Sequence, residues 1–269
     1  MPEVETIKLQ IKEEIKGKKI ESVKVILDKP LKNTTTEEFK QRVEGTFVKD
    51  VKRRAKILII ELSTGDSLLI HLKLTGRLLY LKPEEPIEKH THLVFNLSDG
   101  KQLRFWDLRQ FGYVKIVSGK PEEAPELREL GPEALELGLD EFRRLLAGKR
   151  SGKIKPLLMN QNFIAGIGNI YSDEMLFYAG IQPTRDVTTL TDGEIVKLHE
   201  GIKKILSAAV RYKGSSVDDY VDLYGEQGDF VMYHKVYRRT GKPCEKCGTP
   251  IKRIKLAGRS AHFCPKCQV

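Results

Sequence analysis

No apolar run in this sequence approaches the roughly 20 residues needed to cross a bilayer. The N-terminus lacks the layout of a secretory signal, which implies an intracellular protein. Cysteine is scarce: there are four among 269 residues, all between Cys244 and Cys267. A reducing compartment argues against disulfides among them. No internal repeat or low-complexity tract is present, which sets repeat architectures aside. Nothing suggests an oligomer seam, so a monomer without membrane association is expected.

What is present points to two domains and a real core. The chain is long for one domain, and 40% of its residues are hydrophobic. The net charge of +10 suggests a polyanionic partner, most often nucleic acid. A lysine-rich soluble surface accounts for the charge equally well.

Local patterning gives an α+β chain. Val4, Ile7, Ile11 and Ile15 fall at helical spacing, predicting a helix over Pro2 to Lys16 with Gly17 as its C-cap. From Ile20 to about Val117 the short β-branched runs "KILIIEL", "SLLIHLKL", "HLVFNL" and "YVKIV" predict a β-sandwich behind that helix. Residues 1–117 therefore form one domain. Ser118 to Leu137 is polar and proline-containing and reads as a linker. Helices dominate from about Asp140 to Tyr212, within a domain over 138–235. A Gly/Ser/Asp-rich loop runs from Lys213 to Gly228. Residues 236–269 form a module of their own.

That module carries Cys244-x2-Cys247 and Cys264-x2-Cys267, about 16 residues apart, the spacing of a four-cysteine zinc ribbon. Each knuckle presents two thiolates from a tight turn, and two knuckles complete a tetrahedron around one structural Zn2+. An iron–sulfur site or a redox pair shares part of the pattern. A module of roughly 34 residues has too little core to fold alone, so the metal supplies its stability. The module is strongly basic: Arg238, Arg239, Lys242, Lys246, Lys252, Arg253, Lys255, Arg259 and Lys266 stand against the single acid Glu245, which favours a phosphate-binding finger.

"KPLLMNQNFIAGIGNIYSDEMLFYAGIQP", from Lys155 to Pro183, resembles the helix–two-turns–helix motif of the formamidopyrimidine-DNA glycosylase family. "AGIGN" is a tight glycine turn entering a helix, a good seat for a phosphate. The resemblance extends through "PEVET", "RRAKILIIEL", "HLKLTGRL", "DLRQFG" and "GRSAHFCPKCQ", and so covers nearly the whole chain. It implies an N-terminal helix and β-sandwich domain, a helix–two-turns–helix domain and the zinc ribbon. It also implies a bifunctional, bacterial-type cytoplasmic repair enzyme. Such an enzyme excises oxidised purines (8-oxoguanine, formamidopyrimidines) from double-stranded DNA and cleaves the abasic site by β,δ-elimination.

The resemblance assigns roles residue by residue. Pro2, freed by removal of Met1, is the nucleophile: an α-amine titrates near ~8, leaving a neutral fraction to attack deoxyribose C1′. Glu3 is the acid–base group beside it. Lys56 serves proton transfer and phosphate contact, and Arg259 is the finger arginine assisting δ-elimination. Asn169, Arg150, Lys155 and His90 contact DNA. The target base is flipped out, and Leu74, Arg109 and Phe111 fill the hole. Leu74 stands where the family usually has Met, a substitution of similar volume. The plain alternative for Phe111 is core packing, and for Glu3 a first-turn helix acid. His71 and His92 are read as structural.

Two rival functions follow from the same residues. An endonuclease VIII-type enzyme would act on oxidised pyrimidines, although "PEVET" and the 213–228 loop look like the purine branch. A catalytically inactive zinc-ribbon DNA-binding protein would keep the finger but need neither Glu3 nor Lys56.

The family begins Met-Pro-Glu-Leu-Pro-Glu-Val-Glu-Thr, or the same with Met for Leu, whereas this chain begins Met-Pro-Glu-Val-Glu-Thr. Counted from the terminus, Pro2 and Glu3 are the catalytic pair; aligned on "PEVET", they match the second Pro-Glu. The registers differ by nearly one helical turn, about 4.5 Å. Two explanations stay open: the terminus unwinds to bring Pro2 into place, or a start assigned three residues late, at an internal Met, produces the difference. The chain as written is then expected to excise bases more slowly than one with Met-Pro-Glu restored ahead of Met1.

Overall fold

A computed structural model describes residues 1–217 and 219–269 in two compact units. One comprises 2–128 with 212–229; the other comprises Met1, 129–211 and 230–269.

The first unit opens with α1 (Pro2–Ile15), whose Ile7, Ile11 and Ile15 are buried at the spacing read from the sequence. Gly17 follows with φ +82°, so the chain leaves the helix through the left-handed region. The strands are β1 (Ile20–Val25), β2 (Leu31–Lys32), β3 (Val48–Arg54), β4 (Ile57–Leu62), β5 (Asp66–His71), β6 (Gly76–Leu81), β7 (Thr91–Leu97), β8 (Gln102–Asp107) and β9 (Tyr113–Ser118). They form a five-stranded sheet, β2-β9-β5-β4-β3, and a four-stranded sheet, β1-β7-β8-β6. The expected sandwich is thus present. Its core joins α1 to Leu58, Ile60, Leu68, Ile70, Leu93, Phe95 and Phe105, each side chain contributing about 1.5–3 kcal/mol by burial. A short helix, α2 (Thr36–Val43), lies outside the strand reading. Thr35 caps it by accepting from the Glu38 amide, and it buries Phe39 and Val43.

The described residues of the 213–228 loop, which leave out Asp218, belong with this unit. Leu223 is fully buried in the sandwich core, and its carbonyl accepts from the Tyr80 amide. Asp222 accepts from Gln10 Nε2 at 2.7 Å and from the Tyr224 and Glu226 amides at 3.0 and 2.9 Å. The segment is therefore pinned at its far end, which its polar composition did not foreshadow.

The second unit holds α4 (Leu139–Ala147), α5 (Ile154–Met159), α6 (Asn169–Ala179) and α7 (Asp192–Arg211), then the hairpin β10 (Lys252–Leu256) and β11 (Arg259–Phe263). The stretch read as a linker is more ordered than expected. It contains the one-turn helix α3 (Pro125–Arg128) in the first unit. Ala134 and Leu137, in the second unit, are buried. Among the described residues no helix is long and apolar enough to cross a membrane.

Candidate functional site

The C-terminal module brings four thiols together. The sulfurs of Cys244, Cys247, Cys264 and Cys267 all lie within 4.8 Å of one another. Cys244 Sγ and Cys267 Sγ are 3.9 Å apart, and Cys247 Sγ and Cys264 Sγ are 3.5 Å apart. Disulfides need about 2.05 Å. A tetrahedron with Zn–S bonds of about 2.3 Å has edges of about 3.8 Å, so these spacings fit one zinc ion. Phe177 of α6 packs with Val236, Ile251, Cys244 and Cys264, tying the ribbon to the helices.

Arg259 sits at the tip of the finger. Leu256 pairs with Arg259 across the two-residue turn Ala257-Gly258. Both turn residues have positive φ, +47° and +76°, the type I′ geometry that matches strand twist and for which Gly258 is well suited. Arg259 is exposed.

Lys155 is placed differently from the sequence reading, which took it as a DNA contact. Its side chain is buried, with Nζ 2.7 Å from Asp173 Oδ1, and it donates to the Ser260 carbonyl. Asp173 Oδ2 accepts from the His262 amide at 2.9 Å and lies 3.0 Å from Nδ1 of its ring. Burial pushes the Lys155 ammonium below its ordinary value, against the pull of Asp173. Lys155 thus holds β11 and its arginine in place from within. Glu174 plays a parallel part: its carboxylate accepts from the amides of Lys235, Val236 and Tyr237 at 2.8–3.0 Å. Burial nevertheless pushes its carboxyl up. Sequence reasoning missed both acids; the available signal was an adjacent acidic pair inside an otherwise apolar helix.

Between α5 and α6 the chain makes two turns. Gly166 has φ +99°, and a Cβ there would meet the Met1 side chain at 3.0 Å. Gln161 holds the turn, accepting from the Gly166 amide and donating to the Met159 and Ile167 carbonyls, each at 2.9 Å. Asn169 opens α6 half-exposed, with Oδ1 lacking a hydrogen-bond partner. Arg150 is exposed.

In the first unit, Pro2 is the buried first residue of α1. Glu3 Oε1 accepts from the Ser215 amide at 3.3 Å, and Gly214 packs so closely that a Cβ would meet Glu3 Cγ at 3.0 Å. The first turn of α1 therefore carries the start of the 213–228 loop.

Lys56 lies in the two-residue turn of the β3–β4 hairpin, after Ala55 at φ +53°. Two further turns carry the expected void-fillers. Leu74, in the β5–β6 turn, is 54% exposed; Phe111, in the β8–β9 turn, is 55% exposed, with the Arg109 guanidinium 5.0 Å from its ring centre. Core packing is thereby excluded for Phe111. His90 meets Trp106 edge-on at 5.6 Å. His92 Nε2 lies 2.8 Å from the Asp107 carbonyl, a structural role. His71 Nδ1 accepts from the Lys73 amide at 2.9 Å. Burial, with Lys73 and Lys56 nearby, pushes the His71 ring down to about 3.

Three family models match the chain in succession. They are the formamidopyrimidine-DNA glycosylase N-terminal domain over 1–114, its H2TH domain over 130–221, and the zinc finger found in FPG and IleRS over 241–269. A formamidopyrimidine-DNA glycosylase of Pelotomaculum thermopropionicum is 42% identical over 100% of this chain and 98% of its own length. The Lactococcus lactis Fpg, solved in complex with DNA containing an abasic site, superposes with a TM-score of 0.92 at 36% identity, covering 100% of this chain and 98% of that one. A MutM solved with DNA containing carbocyclic 8-oxo-G gives 0.91 at 35% identity, with coverage of 100% and 98%.

Proposed function

This chain belongs to the formamidopyrimidine-DNA glycosylase family, and on that premise we propose that it excises oxidised purines from DNA and then cleaves the abasic site. The observation that carries this reading is the pair of exposed apolar tips, Leu74 and Phe111, with Arg109 against the second. Both stand in turns, where an apolar side chain can enter the space a flipped base leaves. Asn169 and Arg259 supply groups for the flanking phosphates. Zinc, held by Cys244, Cys247, Cys264 and Cys267, gives the finger its rigidity.

The chemistry begins with a secondary amine. While Met1 is attached, the Pro2 nitrogen is an amide and cannot attack; once Met1 is removed, it can. The amine adds to C1′, and the base leaves with the electrons of the glycosidic bond. Protonation of the ring oxygen, the role proposed for Glu3, opens the sugar to an iminium. Loss of a C2′ proton then expels the 3′ phosphate, and a second elimination expels the 5′ phosphate. Lys56 is proposed as the proton carrier, and Arg259 as the cation that supports the departing phosphate.

Preference for purines is proposed to rest on the 213–228 loop. Single-turnover excision on 8-oxoguanine and thymine glycol duplexes tests this. Faster release of 8-oxoguanine is expected; faster release of thymine glycol would move the chain to the pyrimidine-specific reading.

A further inference from the structure

We propose that the buried carboxylate of Asp107 is a positioning residue that locks the Leu74 turn to the Phe111 turn, so that the two wedges enter DNA as one unit; this rests on the excision reading above.

Asp107 ends β8 and is fully buried. Its Oδ1 accepts from the Thr75 hydroxyl, next to Leu74. The same oxygen accepts from the Arg109 amide at 3.2 Å, and Thr75 Oγ1 accepts from that amide at 3.0 Å. Oδ2 accepts from the Gly112 amide at 2.7 Å, next to Phe111. One carboxylate therefore bridges the β5–β6 turn and the β8–β9 turn. Gly112 is required for the approach, because a Cβ would meet Phe105 Cζ at 2.9 Å and Asp107 Oδ2 at 3.0 Å.

Each turn needs holding. Lys73 and Gln110 both adopt φ +55°, a left-handed conformation unfavourable for residues other than glycine. His71 secures Lys73 from one side, and Asp107 secures both turns from beneath. A buried carboxylate accepting this many hydrogen bonds is a directional clamp, whereas an apolar side chain there would leave the Gly112 amide and the Thr75 hydroxyl proton without this acceptor. Leu74 and Phe111 are exposed side chains, so their positions depend on the backbone beneath them.

Filling the hole matters when a paired base must be extruded, and much less when the site already lacks a base. Thr75→Val removes the hydroxyl without changing shape. It is expected to slow single-turnover excision of paired 8-oxoguanine about tenfold, while cleavage of a preformed abasic site stays within about twofold. Thr75→Ser restores excision. Asp107→Asn behaves like Thr75→Val, because its amide group would face a donor. Hydrogen exchange tests the clamp without relying on activity: in Thr75→Val, amides of 72–76 and of 108–112 should both exchange faster. Acceleration confined to 72–76, or equal slowing on both substrates, would overturn the clamp. A wild-type protein inactive on both substrates would instead overturn the functional reading, and the exchange result would still decide the clamp.

Discussion

Individual side chains carry the most direct expectations. Arg259 stands exposed on a two-residue turn, and Arg259→Ala should weaken lesion-DNA binding and reduce the slope of log affinity against log salt by about one. A salt titration with both proteins measures this; an unchanged slope would remove Arg259 from the phosphate contacts. Asp173→Ala should destabilise the protein by about 3–5 kcal/mol in denaturant, because it strands the buried Lys155 ammonium. His71 gives a pH dependence of fixed sign. Its folded value, about 3, lies below the ordinary 6.5, so the unfolded chain binds more protons between those values. Its contribution is complete above about 6.5 and is lost as pH falls towards 3. His71→Gln should flatten the stability profile between pH 6.5 and 4.5, above the range where carboxylates dominate.

Elements differ in how far the sequence disclosed them. The helix α1 was legible because Val4, Ile7, Ile11 and Ile15 repeat with helical period and are buried on one face. The ribbon was legible because its ligand spacing is set by metal geometry. The helix α2 was not, because two apolar residues in eight positions give no period. Nor were the clamps made by Asp107, Asp173 and Glu174. Asp173 meets His262 across 89 residues and Glu174 meets Val236 across 62, so no local pattern records them. For the same reason the sequence offers Lys155 as a DNA contact and does not disclose its buried partner Asp173. Cys247→Ser should lose zinc and weaken DNA binding, since Arg259 loses its platform; zinc content and affinity together check this. The loop has two parts with different expectations. Replacing 216–219 with a Gly/Ser segment should reduce 8-oxoguanine excision more than abasic-site cleavage. Leu223 must stay, because it is a core residue.

At the scale of the whole molecule, the +10 charge, the exposed wedges, the arginine finger and the N-terminal proline serve one proposed reaction, and the proline is its chemical centre. Pro2 is buried at the start of α1, and the Glu3 carboxylate accepts from the Ser215 amide. The register of this first turn decides whether an amine reaches C1′ at the ~3–3.5 Å that reaction needs. Borohydride trapping on 8-oxoguanine duplex tests this most directly. It should use the chain as written and a version with Met-Pro-Glu ahead of Met1, each checked by intact mass for removal of the initiator Met. The proposed chemistry predicts a covalent protein–DNA adduct mapped to the terminal proline, while both chains bind abasic DNA alike. Tight binding with no adduct in either chain would contradict it and leave a zinc-ribbon DNA-binding protein in its place.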